Sequence, residues 1–206
     1  YNCEAQKAAW LLAGCQIMRG GKPELLKNGT PKSRMMLIPA DAVEFLDTWY
    51  ANGLCGSGST DYAVRDLFVP EDRVVGLGVE RPLDGPLYAF PHFGLLGMGI
   101  AAVALGIARA AIDELIEIAG GKTPSGSARS LAARPSTQEG VSRAEATLRS
   151  ARAFYYEAIA AAWQAAEESG RIETEHRRDV RLATTFTTHA CAEVVDRMYN
   201  LAGGTS

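Results

Sequence analysis

The chain has 206 residues, of which 47% are hydrophobic and 22% are charged, and its formal net charge at pH 7 is −3. This composition is typical of a globular protein large enough to bury a hydrophobic core. Acidic and basic residues are interspersed, so no nucleic-acid-binding surface is expected. The four cysteines contain no Cys-x-x-Cys pair, which disfavours a metal site and favours reduced thiols in a cytoplasmic protein. Because the chain begins at Tyr1 without an initiator methionine, we interpret it as a fragment of a longer protein.

Residues 1–80 carry the signals of a partial antiparallel β-domain. Short apolar or alternating runs are separated by turn residues, and a glycine-rich turn opens the block Gly53–Pro70. The first strand starts almost at the terminus, so one edge of the sheet is expected to be unpaired. Four strands are predicted, over Trp10–Met18, Arg34–Pro39, Val43–Tyr50 and Tyr62–Val69.

Residues 81–206 predict a C-terminal bundle of three long up-down helices, which makes the fold class α+β. After a proline-rich loop, the helices are expected over His92–Ile118, from about Pro135 to Gly170, and over Glu173–Leu201. Ser136 or Thr137 is the predicted N-cap of the second helix.

The helices differ in the faces that they are expected to bury. Ten glycines and alanines in the first helix favour a position in the middle of the bundle, because small side chains let helix axes approach closely. The other two helices carry apolar residues at spacings of three and four. The predicted inward residues are Val141, Ala144, Leu148, Ala151, Tyr155, Ala158, Ala162 and Ala166 in the second helix, and Ala183, Phe186, Ala190, Val194, Met198 and Leu201 in the third.

One uncharged run, Phe93–Ala108, resembles a membrane segment in composition. A membrane span needs roughly 20 apolar residues, and Arg109 and Asp113 interrupt the run before that length. We therefore interpret it as a buried core helix and expect no membrane contact.

Taken alone, the residues offer little catalytic chemistry. None of the three histidines has a nearby nucleophile or ligand spacing: His176 is expected to be solvated and His189 to be a packing residue. Gly56-Ser57-Gly58 lacks the third glycine of a dinucleotide-binding fingerprint and precedes a strand instead of a helix.

Four segments, in this order and spacing, resemble the acyl-CoA dehydrogenase superfamily at the junction between its middle β-domain and its C-terminal helical domain. They are Ala8-Ala9-Trp10-Leu11-Leu12, Gly53–Pro70, Ala104-Leu105-Gly106-Ile107-Ala108-Arg109-Ala110 and Leu201-Ala202-Gly203-Gly204. Gly121-Lys122-Thr123-Pro124, Ala151-Arg152-Ala153-Phe154 and the final Gly203-Gly204-Thr205-Ser206 resemble the type 2 branch, which includes flavin-dependent monooxygenases.

The resemblance implies a flavin site that a neighbouring subunit completes. A family glutamine that contacts the nucleotide corresponds to Asn200, followed by Gly203 and Gly204, where bare backbone can approach a phosphate. A family arginine corresponds to Lys122, and a glutamine early in the second helix corresponds to Gln138. The aromatic residue expected three positions after that arginine is Ser125, a change that bears on adenine packing. The implied cofactor is FAD, with FMN as the alternative.

The resemblance also implies the activity and the assembly, without a catalytic residue inside the chain. One subgroup of the family carries its catalytic glutamate at the position of Leu95. An arginine that is common in the family two residues later is replaced by Gly97 in this chain. The leading interpretation is an acyl-CoA dehydrogenase-like flavin-dependent oxidoreductase, and the alternative is a two-component monooxygenase that uses reduced flavin. An interpretation of another class is a non-catalytic helical-bundle assembly module. The expected substrate is a small molecule, either an acyl-CoA or an aromatic or other hydrophobic compound, and the expected assembly is a homotetramer.

Overall fold

A computed structural model of the chain describes residues 4–76 and 83–204. The chain divides into two compact units, Tyr1–Pro82 and Leu83–Ser206. The first unit is built of short antiparallel strands and the second of three long helices, so the predicted α+β class is confirmed. The predicted boundary between residues 80 and 81 lies outside the described residues.

The first unit is organised around one three-stranded antiparallel sheet in the order β1-β4-β7. Within the described part of the chain, β1 is therefore an edge strand. Leu11, Ala13 and Ile38 form its small core, while Leu12 points outwards, as the two-residue period of a strand requires. The strands of this unit are β1 Trp10–Gln16, β2 Met18–Arg19, β3 Lys22–Pro23, β4 Ser33–Pro39, β5 Glu44–Leu46, β6 Asp61–Ala63 and β7 Val74–Val75.

The last two predicted strands are much shorter than the sequence pattern indicates. The predicted strand Val43–Tyr50 is reduced to β5, because the backbone N–H of Thr48 turns back to the carbonyl of Leu46. The predicted strand Tyr62–Val69 is reduced to β6, whose pairing with β5 stops at Ala63, and it does not resume at Asp66, which has a left-handed φ of 49° that a strand does not accommodate.

The second unit consists of α1 His92–Gly121, α2 Pro135–Ser169 and α3 Thr174–Ala202. The predicted N-cap of α2 is wrong by two or three positions. Arg134 precedes the helix and Pro135 takes its first position, where proline's missing N–H and fixed φ are favourable. Thr137 is the third residue of α2 and is buried. Gly170 ends α2 with φ 69°, in the left-handed conformation that favours glycine.

The core of the helical unit follows the predicted apolar faces closely. Seven of the eight predicted inward residues of α2 are buried, and Val141 is half-buried. In α3 the prediction fails at Phe186, which is 49% exposed and whose ring lies tilted against that of Phe154 at a centroid distance of 6.2 Å. The next residue, Thr187, is fully buried instead, and its hydroxyl donates to the carbonyl of Ala151 at 3.2 Å. The buried hydroxyl is thus satisfied across the α2–α3 interface.

The central helix of the unit is α3, which packs against both α1 and α2, so the predicted central place of α1 is wrong within this chain. Small residues of α1 such as Ala101 and Ala108 are completely buried against its neighbours. The other face of α1 carries an exposed row of large apolar side chains at spacings of three and four. We call this row the apolar stripe; it consists of Phe93, Leu96, Ile100, Val103 and Ile107.

The stripe corrects the prediction that the uncharged run of α1 is a buried core segment. The helix is long and apolar enough to cross a membrane by length and composition, and only 28% of its apolar window is buried in the isolated chain. One face of α1 nevertheless contributes Leu105, Ile112 and Leu115 to the protein core. The apolar stripe is therefore the exposed face of α1, whose opposite face packs in the core of the helical unit.

Candidate functional site

All five predicted cofactor-binding residues lie at one end of the helical unit. Lys122 directly follows α1, and Gln138 lies in the first turns of α2. Asn200 belongs to the last turn of α3, which Gly203 and Gly204 follow. Because successive helices run in opposite directions, the end of α1, the start of α2 and the end of α3 meet at the same end of the bundle.

Lys122 joins two of these helix ends. Its backbone N–H continues α1 by donating to the carbonyl of Ile118 at 3.0 Å. Its ammonium Nζ donates to the carbonyl of Ala202 at 2.5 Å, at the end of α3. The last carbonyls of a helix lack partners inside the helix and carry partial negative charge, so a lysine is favourable there. Lys122 therefore has a structural role in addition to any role towards a ligand.

Gly203 places bare backbone beside this ammonium, and Gly204 follows it. Gly203 has φ 66° and ψ −152°, a conformation that favours glycine, and its N–H donates to the carbonyl of Tyr199 at 3.2 Å. A Cβ built on Gly203 would lie 3.9 Å from Nζ of Lys122, and one built on Gly204 would meet nothing within 4 Å. A cation next to accessible, side-chain-free backbone fits an anionic group such as a phosphate.

The two predicted amides are both engaged in the local fold. Gln138 Nε2 donates to the carbonyl of Ala132 at 3.0 Å and so fastens the loop before α2. Asn200 Nδ2 donates to the carbonyl of Asp196 at 2.8 Å, one turn back in its own helix. Both side chains are exposed, and a ligand would have to engage their oxygens or compete for their nitrogens.

The sequence did not reveal the contact that closes this end of the bundle. Leu201 packs directly on Gly140, where a Cβ would lie 2.5 Å from Leu201 Cδ1. Only a residue without a side chain permits this approach of α3 to the start of α2. The available signal was the glycine itself, which is unfavourable in a helix interior unless packing requires it.

A charged network also links α1 to α2. Arg109 donates to Asp113 at 2.8 Å and to Glu145 at 2.6 Å, and Arg149 donates to Glu145 at 2.7 Å. Hydrogen bonding by Arg109 and Arg149 lowers the pKa of Glu145 below its ordinary value, and hydrogen bonding to Glu145 and Asp113 raises the pKa of Arg109.

The positions considered for catalysis offer no acid or base. Leu95 is half-buried and packs in the apolar cluster around Phe90. Both histidine predictions are corrected: His189 is exposed, whereas His176 is half-buried and its Nδ1 is buried without a hydrogen-bond partner. Within residues 4–76 and 83–204, no three histidine, cysteine or carboxylate side chains gather to hold a metal ion.

Comparison with known proteins adds a family and its relatives. The family model "Acyl-CoA dehydrogenase, C-terminal domain" matches residues 98–206. An indole-3-acetate monooxygenase of Pseudomonas putida is 37% identical over 172 residues, which cover 84% of this chain and 44% of that protein. A second indole-3-acetate monooxygenase, from Acinetobacter baumannii, is 31% identical over 196 residues, 94% of this chain and 50% of that protein.

Among solved structures, XiaF from Streptomyces sp. in complex with FADH2 and glycerol superposes with a TM-score of 0.82 at 21% identity. The match covers 100% of this chain and 52% of XiaF, which shows that the two share a fold. The chain spans about half the length of the relatives that it matches. On the family match and on the identity to the two monooxygenases, the chain belongs to the acyl-CoA dehydrogenase superfamily, to the family defined by that C-terminal domain.

Proposed function

We propose that the chain is part of a flavin-dependent monooxygenase that transfers one oxygen atom of O2 to a small aromatic compound. The observation that carries the proposal is the 37% identity to an indole-3-acetate monooxygenase over 84% of the chain, across both structural units. The second relative extends this similarity to 94% of the chain. The leading sequence-based interpretation, an acyl-CoA dehydrogenase, receives less support, because both relatives are monooxygenases.

The cofactor in this proposal is a reduced flavin, FAD or FMN. XiaF, which has the same fold, binds FADH2. When bound, a reduced flavin supplies the electrons that activate O2. The family motif has an aromatic residue where this chain has Ser125. We therefore propose no stacking of the adenine ring on a side chain at that position.

This chain's contribution to flavin binding is an anion-binding corner at the end of the bundle. Lys122 supplies a cation that the carbonyl of Ala202 holds in place, and Gly203 and Gly204 supply backbone that a phosphate can approach. Gln138 and Asn200 border this corner and supply amide groups. In this proposal, the five residues position the nucleotide part of the flavin. They take no part in proton transfer.

We also propose that the apolar stripe of α1 is an interface with a second copy of the chain. Five large apolar side chains on one helix face are exposed in the isolated chain, and covering them would be favoured by the hydrophobic effect. The homotetramer implied by the family resemblance supplies such a partner. A charged residue, Glu114, follows on the same helix face and marks where the stripe ends.

An anaerobic titration of the protein with reduced FMN and reduced FAD tests the function. We expect saturable binding of at least one reduced flavin, with no reduction of an artificial electron acceptor when an acyl-CoA is added to the FAD-loaded protein. Acyl-CoA-dependent reduction of the acceptor would replace the proposal by a dehydrogenase. Absence of binding by both flavins would favour the non-catalytic assembly module.

A further inference from the structure

The helical unit contains a cavity of about 490 Å³ far from the anion-binding corner. It lies where α1 and α3 begin, whereas Lys122 and Gly203 lie where these helices end. A helix of 30 residues is about 45 Å long, so the two places are at opposite ends of the bundle. The volume is in the range of sites for small organic ligands, roughly 300–1,000 Å³.

The inner walls of this cavity are apolar. Phe90, Ile172 and Val180 line it and are buried, and Phe90 lies against Trp163 at a ring-centroid distance of 6.3 Å. On the α1 side the cavity is lined by Gly94 and Gly97, which have no side chains, and by Phe93, the first residue of the apolar stripe. A Cβ at Gly97 would make only an ordinary contact of 3.6 Å with Thr184 Cγ2. The backbone thus leaves space that a flat hydrophobic group can fill.

The α3 side of the cavity carries two positive charges. Arg177 and Arg181 both line it and are one helical turn apart, a spacing at which like charges repel. Within residues 4–76 and 83–204, neither arginine forms an ion pair with a carboxylate, although the nearby Arg171 and Arg178 do. Arg177 Nε donates to the carbonyl of Ile172 at 2.9 Å, which holds its guanidinium beside another residue of the cavity lining.

From this arrangement we infer that the cavity binds a small hydrophobic carboxylate with a flat ring, a ligand of the arylacetate class. The ring lies against the walls formed by Phe90 and Val180, and the carboxylate accepts hydrogen bonds from Arg177 and Arg181. Guanidinium groups bind carboxylates in a fork geometry, and such charged hydrogen bonds are stronger than neutral ones. The inference deepens the proposed function and rests on it, since it names the class of aromatic compound that the protein takes, but the binding itself needs no flavin.

Isothermal titration calorimetry of the flavin-free protein with indole-3-acetate, indole and inorganic phosphate tests this inference. The variant is Arg181→Gln, since Arg181 forms no ion pair within the described residues, and the matched control is Arg178→Gln, which removes an arginine paired with Asp179 outside the cavity lining. We expect indole-3-acetate to bind, Arg181→Gln to weaken its binding by about tenfold or more, and Arg178→Gln to leave it unchanged. Indole and phosphate are each expected to bind much more weakly than the acid.

A second variant, Gly97→Leu, fills the cavity from α1 and is expected to abolish binding while circular dichroism shows the helices intact. The inference is overturned if indole-3-acetate does not bind, if Arg181→Gln binds it as the wild type does, or if indole or phosphate binds equally well. Since no flavin is present, these results are independent of the flavin titration that tests the proposed function.

Discussion

The ammonium group of Lys122 holds the carbonyl of Ala202, 80 residues later in the chain, at 2.5 Å. This hydrogen bond fixes the end of α1 to the end of α3. It also holds a positive charge beside the bare backbone of Gly203 and Gly204. The same contact therefore stabilises the bundle and places a cation in the proposed anion-binding corner.

Replacing Lys122 should affect both stability and flavin binding. We expect Lys122→Ala to lower the free energy of unfolding by about 1 kcal/mol, because the carbonyl of Ala202 loses its charged donor. Reduced-flavin affinity should fall about tenfold or more, as expected when a cation facing a phosphate is lost. Urea denaturation without flavin and an anaerobic flavin titration measure the two effects separately.

The control for this variant is Lys27→Ala, which removes an exposed lysine from the β unit and should change neither quantity. A titration curve of Lys122→Ala that coincides with that of the wild type would exclude Lys122 from the flavin site and leave it a purely structural residue.

The sequence predicted the helices far better than the strands. Spacings of three and four set the buried faces of α2 and α3, because a helix long enough to repeat its period many times leaves little ambiguity. The predicted strand after the glycine-rich turn is too long, since its pairing with β5 stops at Ala63 and Asp66 beyond it is left-handed, and alternation alone reports neither feature.

For the candidate site, the residues named from the family resemblance stay a prediction, and the sequence did not indicate their contacts. The resemblance placed Lys122 and Gly203 in one site, and the structure brings them together. Three features depend on how separate helices approach one another. They are the hydrogen bond from Lys122 to Ala202, the packing of Leu201 on Gly140 and the cavity beside Arg181. A single sequence contains no record of these distances.

Gly140 should resist even the smallest side chain. Alanine normally stabilises a helix interior relative to glycine by about 1 kcal/mol, but here its Cβ would lie 2.5 Å from Leu201 Cδ1. We expect overpacking to reverse the sign, so that Gly140→Ala lowers the free energy of unfolding by about 1 kcal/mol. Thermal and urea denaturation measure the change.

Gly106→Ala is the matched control, because a Cβ there meets nothing within 4 Å on an exposed helix face. It should stabilise the protein, and Leu201→Ala should relieve much of the defect of Gly140→Ala. If Gly140→Ala stabilised the protein as much as Gly106→Ala, the close packing of α2 and α3 at this end would be wrong.

Glu145 should make stability dependent on pH in the acid range. Its pKa is lowered from 4.5 by hydrogen bonds from Arg109 and Arg149, so the carboxylate stabilises the fold fully above that ordinary value. The contribution is lost as the pH falls below 4.5 through the lowered pKa of the folded state. Glu145→Gln should therefore destabilise the protein at pH 7 by about 0.5–1 kcal/mol and less at pH 3.

Urea denaturation at both pH values measures this difference, with Glu139→Gln as the control. Glu139 pairs with Arg143 on the surface of α2 alone and does not connect two helices. A Glu145→Gln defect that is equal at pH 7 and pH 3 would show that the interhelical network does not account for the acid dependence.

The apolar stripe should govern assembly without governing the fold. Ile100 lies in the middle of the stripe and is 64% exposed, so Ile100→Lys should leave the unfolding of the isolated chain almost unchanged. At an interface, the same lysine would be buried without a partner, and the mass measured by light scattering should fall. Ile116→Lys changes an isoleucine of similar exposure outside the stripe and should keep the assembly intact. Equal masses for Ile100→Lys and the wild type would place the interface elsewhere.

The most direct test of the monooxygenase proposal is the fate of molecular oxygen. The protein is supplied with reduced flavin, indole-3-acetate and 18O2, and the products are analysed by mass spectrometry, with catalase present and a protein-free reaction as the control. We predict a hydroxylated product that carries one 18O atom and forms only with the protein and reduced flavin. No labelled product, together with oxidation of an acyl-CoA by the flavin-loaded protein under anaerobic conditions, would contradict the proposal.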